Sequence, residues 1–415
     1  MTTSRQPDEA YVWIWLPGAT VPTVAGRLTQ ASDITYFTYG RSYLGRPDAV
    51  ALYLPELPLQ RGRQRPIDGL RIAGCINDAG PDAWGQRVIL ARVQGYISAD
   101  SDPADLSPIT YLLESGSDRT GALDFQASPD QFVARVNSAT LEEMASAAQR
   151  LEAGEPFSPA LDMALLHGSS IGGARPKVLL DDGDRKLIAK LSSRSDAYPV
   201  VKAEAVAMEL ARRAGIQAVS TQITECLGHD VLLVERFDRT DVPGERRQFV
   251  SALTMLGLDE MMARYATYPD LADIIRARFE EPARTLRELF ARIVFNICVG
   301  NTDDHARNHA AFWNGSTLSL TPAYDICPQP RSGTETNQAM AINRDGFRAS
   351  QLRGCVDAAS IYALTPVGAR EIIDHQLDIV HAEWDDAADA AQLTVGERQR
   401  LWGRQILNAY ATEGY

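Results

Sequence analysis

The sequence predicts an α+β chain in three parts, on three observations. Strand-like runs punctuated by Gly and Pro recur as far as residue 238. From residue 239 the strand signals stop and helical periodicity takes over. Between an apolar helical run and a hairpin signal lies a charged loop, GNTDDHARNH, at residues 300–309. The expected parts are a mixed α/β N-terminal subdomain (1–155), a β-rich part carrying a Gly-rich loop (156–238) and a mainly helical part (239–415).

Bulk properties narrow the function classes. At 415 residues there is material for more than one core, and 45% hydrophobic with 23% charged residues is ordinary for a globular chain. A net charge of −13 disfavours a broad nucleic-acid-binding surface, a local basic patch excepted. No apolar run approaches the roughly 20 residues of a membrane span, and MTTSRQPDEA has no signal-peptide core. Cys75, Cys226, Cys298, Cys327 and Cys355 are scattered without a C-x-x-C pair. They read as reduced thiols of a cytoplasmic protein, each a small buried apolar residue.

In chain order, YVWIWL at 11–16 mixes aromatic and β-branched types and reads as a strand ended by Pro17-Gly18. Residues 33–39 and 49–53 are further strand-like runs. Pro81 suits a first helical turn, with Trp84, Val88, Ile89 and Val93 on one face of the helix after it. Residues 139–151 repeat Leu141, Met144 and Leu151 at helical spacing. GEPFSPA at 154–160 marks a boundary. Beyond it, 200–215 is a helix stopped by Gly215, and 220–225 and 231–236 are strands around Leu227-Gly228. Residues 255–264, 271–279 and 286–299 are expected as helices, the last apolar at Leu286, Leu289, Phe290, Ile293, Val294 and Ile297. Asn314-Gly315 sets a hairpin turn, and 348–415 is mostly helical with Trp384, Leu393, Leu401, Trp402, Ile406 and Leu407 as core candidates.

The chemistry-bearing residues follow an order. Gly168, Gly172 and Gly173, with Ser169 and Ser170, form a loop of small residues whose N–H groups could approach a phosphate, or a plain turn. The strand KVLL, the turn Asp182-Gly183 and the strand KLIAKL follow, with Lys190 on the Ile188 face. Lys190 either lines a cleft or snorkels at an edge. Glu204, on the next helix, is either the carboxylate that fixes this lysine or a solvated glutamate near the helix start. VLLVERFDR then runs into charge, as a connector between lobes would. Asp303 and Asn308 are five positions apart, the D-x-x-x-x-N spacing of protein-kinase catalytic loops, where Asp takes the hydroxyl proton and Asn holds Mg²⁺. Asp325 follows the hairpin where those enzymes place a metal-binding Asp.

These stretches together resemble the HipA family of bacterial serine/threonine kinases, the toxins of type II toxin–antitoxin pairs. The matching segments are LPGATVPTVAGRL, RPDAVALYLP, GPDAWGQRVI, GSSIGGARPK, the Lys190 strand, VERFDR, NTDDHARNH and TPAYDI, in family order over nearly the whole chain. The resemblance implies a kinase-like core with a small β-rich lobe and a mainly α-helical C-terminal lobe, and use of ATP and Mg²⁺. Carried over by position, Asp303 is the catalytic base or hydroxyl-orienting group, and Asn308 and Asp325 are the metal ligands. Ser170, Ile171, Gly172, Gly173 and Ala174 line the phosphates, Lys190 holds them, and Glu235 and Phe237 offer backbone groups to adenine. His305 lies beside the site and either contacts phosphate or packs the loop. Ser170 matches the autophosphorylated position, with Ser169 the adjacent alternative. The resemblance further implies a HipB-like helix-turn-helix antitoxin, operator DNA reached through that antitoxin, and an aminoacyl-tRNA synthetase, the glutamate enzyme especially, as substrate. The loop lacks H-R-D, and Ile326-Cys327 replace Phe-Gly after Asp325, departures from the eukaryotic kinase pattern.

Two rival classes are set against this reading. One is a metal-dependent hydrolase with Asp303, Asp304, His305 and His309 as ligands, the two histidines at i, i+4 on a helix. The other is a catalytically idle interaction protein with a kinase-like fold.

Overall fold

The computed structural model describes residues 6–94, 102–135, 140–152, 177–183, 185–193 and 196–415. The Gly-rich stretch with Gly168, Ser169, Ser170, Ile171, Gly172, Gly173 and Ala174 lies outside the described residues. The chain is α+β and divides into two compact units. The first comprises Met1–Leu191, Arg236–Val250 and Phe312–Ser316, the second Ser192–Glu235, Ser251–Ala311 and Thr317–Tyr415.

The first unit is built on a five-stranded antiparallel sheet, β1 (Glu9–Ile14), β2 (Thr23–Ala31), β3 (Ile34–Tyr39), β4 (Arg63–Gln64) and β5 (Leu123–Gln126), in the order β4-β3-β2-β1-β5. In β3, residues at alternate positions are buried, the period of a strand with one face on the core. Residues 49–53, expected as a strand, do not form one. Two tyrosine hydroxyls take their backbone groups instead. Tyr43 donates to the Val50 carbonyl at 2.7 Å, and Tyr39 accepts from the Leu52 N–H at 2.9 Å. The helix Ala83–Gln94 begins two residues after Pro81 and buries Trp84, Val88 and Ile89, whereas Val93 is exposed. The hairpin of β6 (Lys177–Asp182) and β7 (Arg185–Leu191) turns at Gly183, with φ +61°, and pairs Lys177 with Lys190. Lys190 is buried.

An ion network holds the segment after residue 235 to the sheet end of this unit. Arg236 reaches Asp238 at 2.8 Å and Asp118 at 3.0 Å, and Arg239 reaches the same two at 2.8 and 2.6 Å. The Gly121 N–H donates to Asp238 at 2.7 Å, and Arg246 stacks 3.7 Å over Trp15. The charged end of VERFDR is thereby a buried fastening.

The second unit is mainly helical. It contains the helices Val200–Arg213, Tyr268–Arg278, Pro282–Val299 and Pro366–Ala390, and the hairpin of β8 (Thr221–Cys226) and β9 (His229–Glu235). That hairpin turns at Leu227 and Gly228, both at positive φ. Glu204 is buried in its helix, which excludes the solvated reading. The helix expected over 255–264 is not formed. A short helix, Ala252–Met255, ends where Gly257 turns left-handed at φ +68° and donates to the Thr254 carbonyl, and only a 3-10 turn, Ala263–Tyr265, follows. Trp384, Leu393, Leu401 and Ile406 are buried as expected, with Trp402 half-buried against Trp384, ring centres 5.0 Å apart. All five cysteines are buried and unbridged. Among the described residues no helix is long and apolar enough to cross a membrane.

The buried network makes a prediction. Burial alone would raise the Asp238 carboxyl, but Arg236 and Arg239 outweigh it and hold it at about 2. A lowered folded-state value means stability that is complete above the unfolded carboxylate value of about 3.9 and lost as pH falls through the folded one. Asp238→Ala should cost about 3 kcal/mol at neutral pH, read from urea midpoints, since it removes one of the two carboxylates that Arg236 and Arg239 share and takes the acceptor from the Gly121 N–H. The difference between wild type and Asp238→Asn should shrink as pH falls from about 4 to about 2.

Candidate active site

The loop at 300–309 is delivered by the helix Pro282–Val299. Gly300 caps it in the left-handed region, at φ +69°. A Cβ there would lie 2.5 Å from the Gln405 carbonyl oxygen, so the position requires glycine on two counts. Asn301 then ties back to Asn296, main chain at 2.8 Å and side chain at 2.9 Å. The Ala339 N–H donates to the Thr302 carbonyl at 3.0 Å. The loop therefore enters the site from a fixed base.

Adjacent aspartates part company here. Asp303 is exposed and Asp304 is buried. The Asp304 carboxylate accepts from the Tyr268 hydroxyl at 2.5 Å and from His309 Nε2 at 2.8 Å. A carboxylate only accepts, so His309 carries a proton on Nε2. Burial works to raise the Asp304 carboxyl, but His309 and the Tyr268 hydroxyl outweigh it and hold it below its usual range. The same contact and burial push the Tyr268 phenol well up.

Asp303 and Asn308 are brought together as their spacing predicts. Asn308 donates its amide N–H to the Asp303 carbonyl at 3.2 Å, and its own backbone N–H to the His305 carbonyl at 2.9 Å. Burial of its inner part pushes the Asp303 carboxyl up; His305 opposes this, and Asp325 and Asp304 add to it. Asp325 sits at φ +60°, a region Asp tolerates better than most residues but which still costs of the order of 1 kcal/mol. Its neighbour Tyr324 donates its hydroxyl to the Arg307 carbonyl at 2.6 Å, tying the Asp325 segment to the loop. Arg307 forms an ion pair with Glu260.

The other predicted residues are placed as follows. His305 is half-buried, and its Nδ1 is sealed from solvent with no hydrogen-bond partner among the described residues. Glu235 ends β9 and gives its N–H to the Ser220 carbonyl at 3.0 Å. Phe237, half-buried, packs against Phe249 and Phe312 at 6.0 and 5.8 Å. The helix expected to present His305 and His309 together is absent, because only a 3-10 turn, Ala306–Asn308, separates them. With Asp304 turned inward, the hydrolase ligand set is not assembled. Among the described residues no three of His, Cys, Asp and Glu are grouped to hold a metal. The sequence reading missed Tyr268 and Tyr324, both aromatic hydroxyls remote from the loop. The doubled Asp was the available signal that one carboxylate needed an interior partner.

Two family models match the chain. One describes a HipA N-terminal domain over residues 14–126, the other a HipA-like C-terminal domain over residues 169–384. The serine/threonine-protein kinase toxin HipA of Shewanella oneidensis is 27% identical over 221 residues, 47% of this chain and 49% of the relative. The chain thus spans about half the length of that curated relative. Among solved structures, the Shewanella oneidensis complex of HipA, HipB and its operator DNA matches with a TM-score of 0.62 at 18% identity, covering 93% of this chain and 97% of that one. This likeness shows a shared kinase-like fold.

A stability test bears on Asp303. Its folded-state value is raised, so the charged form weakens the fold, and the penalty grows as pH rises through that value. In chelator-treated protein, Asp303→Asn should melt above wild type at pH 7.5, and the gap should close below pH of about 4, where both are neutral. Melting curves at the two pH values check both halves.

Proposed function

The chain belongs to the HipA family, and we propose that it is an ATP- and Mg²⁺-dependent serine/threonine protein kinase acting as the toxin of a bacterial toxin–antitoxin pair. The observation that carries this reading is the loop at 303–308. Asp303 is exposed, its backbone carbonyl fixes the Asn308 amide, and a second carboxylate, Asp325, is near enough to raise its own. The donors fit the metal: an amide oxygen and carboxylates are the hard ligands Mg²⁺ takes, and crowded carboxylates gain from a cation between them. When bound, Mg²⁺ neutralises charge on the transferring phosphoryl group.

The residues divide the remaining work. Asp303 orients the acceptor hydroxyl and takes its proton; a raised carboxyl value moves it toward a working base. Asn308 donates through nitrogen to Asp303, which leaves its oxygen for the metal, and Asp325 supplies the second ligand. Lys190 holds the α- and β-phosphates, Ile171, Gly172, Gly173 and Ala174 line them, and Glu235 and Phe237 offer backbone groups to adenine. His305 contacts phosphate. Functionally the chain divides at 1–155, 156–238 and 239–415, and Ser170 is the autophosphorylated residue. A phosphate adds about −1.5 to −2 charge, which in that loop opposes ATP and switches the enzyme off.

The partners follow from the family and from charge. The solved relative is in complex with HipB and operator DNA. A chain of net charge −13 gains little from phosphate contacts, so DNA is reached through a HipB-like antitoxin. The substrate class is an aminoacyl-tRNA synthetase, the glutamate type first, and the compartment is the cytoplasm.

Two experiments test the reading. Asp303→Asn or Asp325→Asn should abolish ³²P incorporation while circular dichroism stays unchanged, and mass spectrometry should find phosphate on the Ser170 peptide only when Asp303 is intact. Full activity in Asp303→Asn sinks the assignment, and ³²P incorporation by the wild type separates a kinase from an idle relative. In gel shifts at physiological salt, the purified chain alone should show little DNA binding, and tight sequence-specific binding unaided would contradict the role given to the antitoxin.

A further inference from the structure

Two adjacent aspartates stand in the loop; the D-x-x-x-x-N spacing picks out Asp303 and leaves Asp304 without a role. We infer that Asp304 is a positioning residue, locked inward by His309 and Tyr268, and that this brace is what turns Asp303 outward. The inference rests on the kinase reading for its effect on catalysis, and on geometry alone for its effect on the loop.

The brace joins three places in the helical unit. Tyr268 opens the helix Tyr268–Arg278, with its N–H on the Ala341 carbonyl at 3.1 Å. His309 immediately precedes the strand Ala310–Trp313, with its carbonyl accepting from the Ala252 N–H at 2.7 Å. Both side chains are thus held by their own backbone before they meet Asp304. The rings of Tyr268 and His309 stand edge to face, centres 5.8 Å apart. All three residues are buried. Exchanging the two aspartates would strand the Tyr268 hydroxyl and the His309 Nε2–H without an acceptor in a dry pocket, and would bring Asp303 into it. A one-residue slip of the loop is therefore disfavoured, and the arrangement retained is the one with Asp303 exposed and the Asn308 amide on its carbonyl. Positioning of this kind acts on the chemical step, since small misplacements of a base cost rate without loosening nucleotide.

The test uses the full chain and three variants. His309→Ala removes the donor, His309→Gln keeps an N–H at a comparable reach, and Tyr268→Phe removes one hydroxyl. In His309→Ala, amide hydrogen exchange of the peptide spanning 301–311 should speed up about tenfold or more while remote peptides are unchanged. Its kcat should fall about 10- to 100-fold with KM for ATP within about threefold of wild type. His309→Gln should recover most of both. Unchanged exchange in the loop, a KM that rises in step with the fall in kcat, or a Gln variant no better than Ala would overturn the inference. Should His309→Ala fail to fold, Tyr268→Phe carries the same two readouts with a smaller fall, about three- to tenfold in kcat. A wild type that turns over no ATP overturns the kinase reading instead, and the exchange arm still decides the brace.

Discussion

Asp238 and Asp304 each bury a carboxylate whose charge is met by near neighbours in sequence together with a donor from a distant stretch of chain. In the first unit Asp238 gathers Arg236, Arg239 and the Gly121 N–H. In the second, Asp304 gathers Tyr268 and His309. A charge taken from water is tolerable only when its partners are present in the right geometry. Each carboxylate therefore fixes several segments at once. The segment after β9 is fastened to the 118–121 turn, and the start of one helix to the loop where the catalytic reading places its base.

Backbone constraint complements this charge pairing. The helix Pro282–Val299, buried along its apolar face, leaves its last turn through Gly300, where the neighbouring Gln405 carbonyl leaves no space for a side chain. Further on, Asp325 holds a left-handed conformation without being glycine. Such a residue is retained where surrounding contacts over-determine it, and the Tyr324 hydroxyl on Arg307 is one such contact. The two ends of the candidate metal site are thus set by a turn only glycine fits and a turn that strains an aspartate.

Where a local rule has no competitor, the fold was legible in the residues. The alternation in β3, the apolar face of Pro282–Val299 and the Asp182-Gly183 and Leu227-Gly228 turns all follow from period or turn chemistry alone. Legibility failed where tertiary contacts override local preference. Residues 49–53 have strand composition, but Tyr39 and Tyr43 take their hydrogen bonds. Residues 255–264 are a local failure instead, since Gly257 turns left-handed and ends the helix early. At the site, the spacing of Asp303 and Asn308 was readable because it is local. The direction of each side chain was not, because it depends on Tyr268, which is 36 residues away from Asp304.

Three buried cysteines give the chain an internal clock. Burial pushes the Cys298 thiol up to about 12 and the Cys355 thiol up as well, and burial together with Glu56 pushes Cys75 well up, so at these positions the folded state offers almost no thiolate. Alkylation there proceeds from opened forms. Cys75 lies in the first unit and Cys226, Cys298, Cys327 and Cys355 in the second. The labelling rate of Cys75, Cys298 or Cys355 consequently times the opening of its own neighbourhood, with Cys298 at the root of the 300–309 loop.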